Sequence, residues 1–130
     1  MRIEKFTTKL QEALAEAQSA ALGQDHPYIE PQHLLSALLE QADGSAGSII
    51  QRAGGNPAAL KGALAQTIAR LPKVQGAPGE VRISRELEKL LNVADKEAQK
   101  RGDQYIASEL FLLACVEDKG ETGRLMQQAG

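Results

Sequence analysis

The chain has 130 residues, 42% hydrophobic and 25% charged, with no Trp, two Tyr, two Phe and one Cys, a length that fits one ordinary domain and leaves little room for a separate catalytic engine. Its 15 Lys and Arg against 17 Asp and Glu give a net charge of -2, too balanced to drive binding to a phosphate backbone, so nucleic acid is not an expected partner. The single Cys excludes an internal disulfide and a thiolate metal cluster.

The N-terminus, Met1-Arg2-Ile3-Glu4-Lys5-Phe6, has no apolar stretch behind its basic residue, and the longest apolar run is Leu110 to Val116. Neither a secretory leader nor a membrane span is expected, and the cytoplasm is the expected compartment. Ala and Leu dominate, β-branched residues are sparse and apolar positions recur at helical spacing, so the expected class is all-α. Helix one is capped by Thr7 or Thr8, the pair Thr8 and Gln11 having capping-box spacing. It carries Leu10, Leu14, Ala17 and Ala21 on one face and stops at Gly23. A loop of residues 24–29 leads to Pro31 in the first turn of helix two, which carries Leu34, Leu35, Leu38 and Leu39 and breaks at Asp43-Gly44-Ser45. A short third helix runs from Ser45 to Ala53 and ends at Gly54-Gly55. Asn56-Pro57 then opens a fourth through Leu60, Leu64, Ile68 and Leu71. The segment from Leu71 to Val81, with two prolines and two glycines, reads as a linker. Ser84 caps helix five, whose face is Leu87, Leu90, Leu91, Ala94 and Ala98 down to Gly102. Its charges, Arg85-Glu86, Glu88-Lys89 and Asp95-Lys96-Glu97, mix signs as a solvated face does.

The second half repeats the first at an offset of 77 positions. Leu10 falls on Leu87, Leu14 on Leu91, Ala17 on Ala94, Ala21 on Ala98, Tyr28 on Tyr105, Ile29 on Ile106, Leu35 on Leu112, and Thr7 on Ser84. After a one-residue gap, Gly47, Gln51, Ala53 and Gly54 fall on Gly123, Gln127, Ala129 and Gly130. Matching caps, loops and helix ends indicate a tandem duplication: repeat one 1–71, linker 72–83, repeat two 84–130. The second copy has no equivalent of the Asn56-Pro57 helix, so the natural protein is expected to continue past Gly130, with an eighth helix missing or truncated here.

Little in the sequence supports covalent chemistry. No G-x-x-x-x-G-K-[ST] loop occurs, and Gly54-Gly55-Asn56 lacks the lysine that a phosphate cradle needs. Cys115 sits inside Leu113-Ala114-Cys115-Val116, where a thiolate would be desolvated, and reads as a buried small hydrophobe. His26 and His33 lie across a proline loop with no H-E-x-x-H or cysteine pairing, so no metal site is expected.

The combination Phe6-Thr7, Ala13-Leu14, Ala17, Tyr28-Ile29 and Pro31-Gln32-His33-Leu34-Leu35, with its partner Tyr105-Ile106-Ala107-Ser108-Glu109-Leu110, resembles the double Clp N-domain. Leu71-Pro72, Lys100-Arg101-Gly102-Asp103 and Ser108-Glu109-Leu110-Phe111 resemble its ClpB branch, the bacterial AAA+ disaggregases, and the resemblance covers essentially the whole chain. It implies an all-α, pseudo-twofold domain of two four-helix units, without catalysis of its own, that captures unfolded or aggregated polypeptide. It also implies a homohexamer whose AAA+ modules, with ATP and Mg, lie outside this chain, and a DnaK-type chaperone system engaged through an absent middle domain. Protease-linked relatives carry a Glu-His pair after the loop in both copies. Here the first copy has Gln32-His33 and the second Glu109-Leu110, so adaptor or phosphoarginine recognition of their kind is not expected. An adaptor-docking domain of a protease-linked Clp unfoldase is the alternative within the class, and a free-standing helical enzyme is the alternative outside it.

Candidate client-binding residues follow. The stretch Leu110-Phe111-Leu112-Leu113-Ala114-Cys115-Val116 is apolar all round, so helix six is either buried on every side or exposes a strip. Leu110 takes the place of the polar His33, which argues against deep core. Leu91 lies at an edge of the helix-five face, and Val93 lies outside it. Leu91, Val93 and Leu110 are therefore expected to line an apolar groove for extended segments, ordinary core packing being the competing reading. Thr7 and Ser84 at helix starts, Asp103 in the Gly102-Asp103-Gln104 turn and Glu109 in the first turn of helix six are explained by capping and turn closure. The ClpB resemblance adds client contact, since all four match polar positions of that family's motif.

Overall fold

The computed structural model describes residues 3–41, 46–71, 81–118 and 120–128. After a short 3-10 turn at Ile3–Lys5, the helices are α1 (Thr8–Gly23), α2 (Pro31–Glu40), α3 (Ala46–Arg52), α4 (Pro57–Ala69), α5 (Arg85–Lys100), α6 (Ser108–Glu117) and α7 (Glu121–Gln128). The class is all-α, as the composition predicts. The bounds of α1 and α5, and of α2 and α6, differ by 77 at both ends, and α7 answers α3. Among the described residues α4 has no counterpart. The predicted break at Asp43-Gly44-Ser45, the Ser45 start of helix three, most of the linker (72–80) and the end at Ala129-Gly130 lie outside the described residues.

The starts of α1, α4 and α5 are each set by one side chain. Thr7 Oγ1 accepts from the Leu10 amide at 3.3 Å, and at the equivalent place Ser84 Oγ accepts from Leu87 at 3.1 Å. The cap of α1 is thus Thr7 and not Thr8, and the Gln11 amide reaches the Phe6 carbonyl at 2.9 Å instead of closing a capping box with Thr8. Asn56 caps α4 as predicted. The first and second copies also turn alike after their long helices: His26 N–H donates to Ala21 O at 2.9 Å and Asp103 N–H to Ala98 O at 2.8 Å. The left-handed residue that permits this turn is Asp25 (φ 60°) in the first copy and Gly102 (φ 74°) in the second. Helix α1 stops at Gly23 as expected, and the left-handed residue of the turn that follows is an aspartate, which tolerates positive φ better than most side chains.

A feature absent from the sequence reading joins the copies. β1 (Tyr28–Ile29) pairs in parallel with β2 (Arg82–Ile83), and a parallel bridge links Phe6 to Ile106. The Ser84 amide donates to the Ile29 carbonyl and the Thr7 amide to the Ile106 carbonyl, both at 3.0 Å. The residues preceding each long helix are thus bound by the loop of the other copy. Phe6, Ile29 and Ile106 point inward from these strands into one continuous core with Leu10, Leu34, Leu35, Leu60, Leu64, Leu87 and Phe111. Ala13, Ala17 and Ala21 on α1, and Ala94 and Ala98 on α5, keep the partner helices close. Each fully buried Leu or Phe in this core is worth about 1.5–3 kcal/mol.

Candidate functional site

The four polar candidates divide between the two crossings. Thr7 is held beside the 103–109 turn by its bond to Ile106, so Thr7, Asp103 and Glu109 share one end of the domain. Ser84 is held instead at the first copy's loop by Ile29, and its side chain is buried with its hydroxyl committed to the α5 cap. Thr7 is half-buried and similarly committed. Asp103 and Glu109 are exposed, Asp103 just past the left-handed Gly102 and Glu109 in the first turn of α6.

The three apolar candidates also separate. Val93 is 42% exposed, as its place outside the main face of α5 predicts. It stands in a shallow depression of about 400 Å³ with Arg85, Glu88, Lys89, Asn92 and Lys96. Leu91 has no exposed surface and Leu110 is only 6% exposed, so neither forms an open groove wall in this structure. For Leu91 the cause is periodicity, which places it with Leu87, Leu90 and Ala94 against the core. For Leu110 the argument from its polar counterpart fails because His33 is itself buried. A buried position accepts a polar side chain when each of its polar atoms is satisfied. Nearly all of α6 is covered; Val116, 48% exposed, and the half-buried Leu113 are its outward apolar residues.

His33 shows how that satisfaction is reached. Its Nδ1 accepts from the Glu30 amide at 2.8 Å, which places its proton on Nε2, and Nε2 donates to His26 Nδ1 at 2.9 Å. Both rings are buried, with centroids 5.0 Å apart. Burial, with a smaller contribution from His26, lowers the His33 pKa from 6.5 to about 4, so the imidazole is neutral at pH 7. His33 also floors a groove of about 510 Å³ whose rim includes Lys9, Glu12, Glu16 and Glu40. Glu16 and His33 hold the first-copy places of Val93 and Leu110. The first-copy groove therefore carries a carboxylate and an imidazole where the second copy has apolar side chains on α5 and α6.

Cys115 is fully buried, and its thiol pKa is pushed far up by desolvation and then by Asp118, the environment of a packing residue rather than a nucleophile. Among the described residues no cluster of three His, Cys, Asp or Glu is placed to hold a metal ion, and no helix is long and apolar enough to cross a membrane. Two residues that the sequence reading used only as markers of the repeat, Tyr28 and Tyr105, are large exposed aromatics. The signal that could have singled them out is that the chain's only two tyrosines fall on equivalent positions.

A family model described as the Clp repeat (R) N-terminal domain matches residues 5–129. A chaperone protein ClpB from Dichelobacter nodosus is 50% identical over 127 residues, covering 98% of this chain and 15% of that protein. One from Pseudomonas putida is 46% identical over 130 residues, the whole of this chain and 15% of its own length. The chain thus spans about 15% of the relatives that it matches. Among solved structures, the Hsp104 N-terminal domain from Candida albicans superposes with a TM-score of 0.83 at 24% identity, over 97% of this chain and 82% of that one. The N-terminal domain of the ClpV1 ATPase from an E. coli type VI secretion system gives 0.81 at 22%, over 97% and 84%. At these identities the structural likeness speaks to the fold.

Proposed function

Since the chain belongs to the Clp repeat N-terminal domain family and matches the N-terminal region of ClpB chaperones, we propose that it captures unfolded or aggregated polypeptide for a disaggregase. The observation that carries this reading is Val93, an apolar side chain left open on α5 and ringed by charges of both signs. Such a surface offers apolar contact without a demanding shape, which suits clients that share exposed hydrophobes and no sequence. Val93, Asp103 and Glu109 make direct contact. Leu110 contributes its exposed margin, Leu91 supports the face from beneath, and Thr7 and Ser84 position the helix starts.

The remaining machinery belongs to segments outside this chain: AAA+ modules that bind ATP and Mg and assemble as a homohexamer, and a middle domain that engages a DnaK-type system. The chain holds no phosphate-cradling loop of its own, and it acts without catalysis, in the cytoplasm. Titrating the isotope-labelled chain with a permanently unfolded protein, while following backbone amide shifts, tests the reading. Saturable shifts at Val93, Asp103 and Glu109 are the expected result. Shifts confined to the Gln32-His33 side would overturn it and favour the adaptor-docking alternative.

A further inference from the structure

The chain's four large aromatic side chains are sorted by type. Phe6 and Phe111 are buried, whereas Tyr28 is 49% and Tyr105 57% exposed. Both tyrosines are turned outward by the crossed strands. Successive side chains of a strand alternate faces, so sending Ile29 and Ile106 into the core drives the residue before each of them to the surface. Tyr28 stands opposite Arg82 in the parallel register of β1 and β2. At the other crossing the Ile106 amide donates to the Lys5 carbonyl at 2.7 Å beside the Phe6–Ile106 bridge, and the same register sets Lys5 across from Tyr105. Lys5 and Arg82 are both exposed. Each crossing therefore presents one exposed phenol ring across from one exposed cation, although neither outward position is required by the core to be aromatic.

We infer that Tyr28 with Arg82, and Tyr105 with Lys5, are two equivalent contact points for an extended segment of non-native polypeptide. The ring takes an apolar side chain and the cation a neighbouring carboxylate. The inference rests on the function proposed above and adds a pair of aromatic anchors to the α5 face. The pairing of charge with ring selects the occupant. Tyrosine gives apolar area with few rotors to immobilise, and a cation held beside it favours client segments in which a hydrophobe adjoins Asp or Glu. One of the two, Tyr105, lies between Asp103 and Glu109, in the turn to which Thr7 is bonded.

The test measures binding of fluorescently labelled, reduced and carboxymethylated lactalbumin by anisotropy, for wild type, Tyr28→Ser, Tyr105→Ser and the double variant. Each single substitution raises Kd about fivefold and the pair about twenty-five-fold, the range of an aromatic anchor truncated at an interface. Tyr→Phe variants stay within about twofold of wild type because the ring is kept. A double Tyr→Ser protein with unchanged helical circular dichroism that binds within about twofold of wild type overturns the inference while leaving client capture intact. Failure of the wild type itself to bind sinks the proposed function. Sedimentation showing a wild-type dimer that the double variant loses assigns these faces to a second copy of the chain and equally overturns the inference.

Discussion

Acidification is expected to weaken the fold through one buried ring. His33 takes up a proton only near pH 4 in the folded chain, whereas in the unfolded chain it does so near 6.5. Between these values unfolding absorbs a proton, so the stability contributed by the neutral ring is fully present above pH 6.5 and is lost as pH falls to 4. Each pH unit in that window carries about 1.36 kcal/mol, and the whole window about 3 kcal/mol, a large share of a small domain's stability. Protonation would put a second donor against the Glu30 amide, which now bonds to Nδ1 at 2.8 Å, and so undo the link between the loop and the first turn of α2. The other ionisable groups facing the ring are His26, Glu30 and the Lys9, Glu12, Glu16 and Glu40 rim. The assay is urea unfolding followed by circular dichroism at pH 7.5, 6.5, 5.5 and 4.5, on wild type and His33→Gln. Carboxylates titrate in both proteins, so the difference between the two curves isolates the ring. Wild type should lose about 3 kcal/mol more than the variant as pH approaches 4, and parallel curves would refute the reasoning.

Two other outcomes follow from packing. A Cβ at Gly123 would overlap the Asp118 carbonyl oxygen in the α6–α7 turn, where Asp118 Oδ2 also accepts from the Gly120 and Gly123 amides at 3.1 and 3.2 Å. Gly123→Ala is expected to cost about 2–3 kcal/mol, whereas Gly62→Ala, exposed in α4 with open space at its Cβ, should stabilise by up to about 1 kcal/mol. Thermal melts of the two variants decide this, and a Gly123→Ala protein as stable as wild type would contradict the first part. Cys115 should resist a thiol reagent at pH 8 in the folded chain and react only as fast as the chain unfolds. Immediate modification of the native protein would show the thiol to be accessible.

The helical framework was legible because each element carries a local signal: a cap at Ser84 and Asn56, an Ala/Leu face on α1 and α5, and an offset of 77 that the helix bounds reproduce. The crossed strands were not, since two residues paired with two others have no periodicity to read, and their partners lie in the opposite copy. Among the site residues, Val93 was readable from helix angle alone. The burial of Leu110 is not legible from its polar counterpart, because two hydrogen bonds hold His33 inside the core. Leu91, at an edge of the α5 face on a helical wheel, has no exposed surface because the whole of that face, with Leu87, Leu90 and Ala94, is buried.

The two crossings make the duplication irreversible. A chain cut back to its first copy would expose Phe6 and Ile29 and leave the Thr7 amide and the Ile29 carbonyl without the groups that now satisfy them. Each half is therefore an incomplete folding unit, and the pairings that complete it span long stretches of sequence, which slows folding but binds its gain to the whole chain at once. The two copies are expected to melt together. Divergence between the copies, with Glu16 in one at the place of Val93 in the other, could proceed without either half being free to leave.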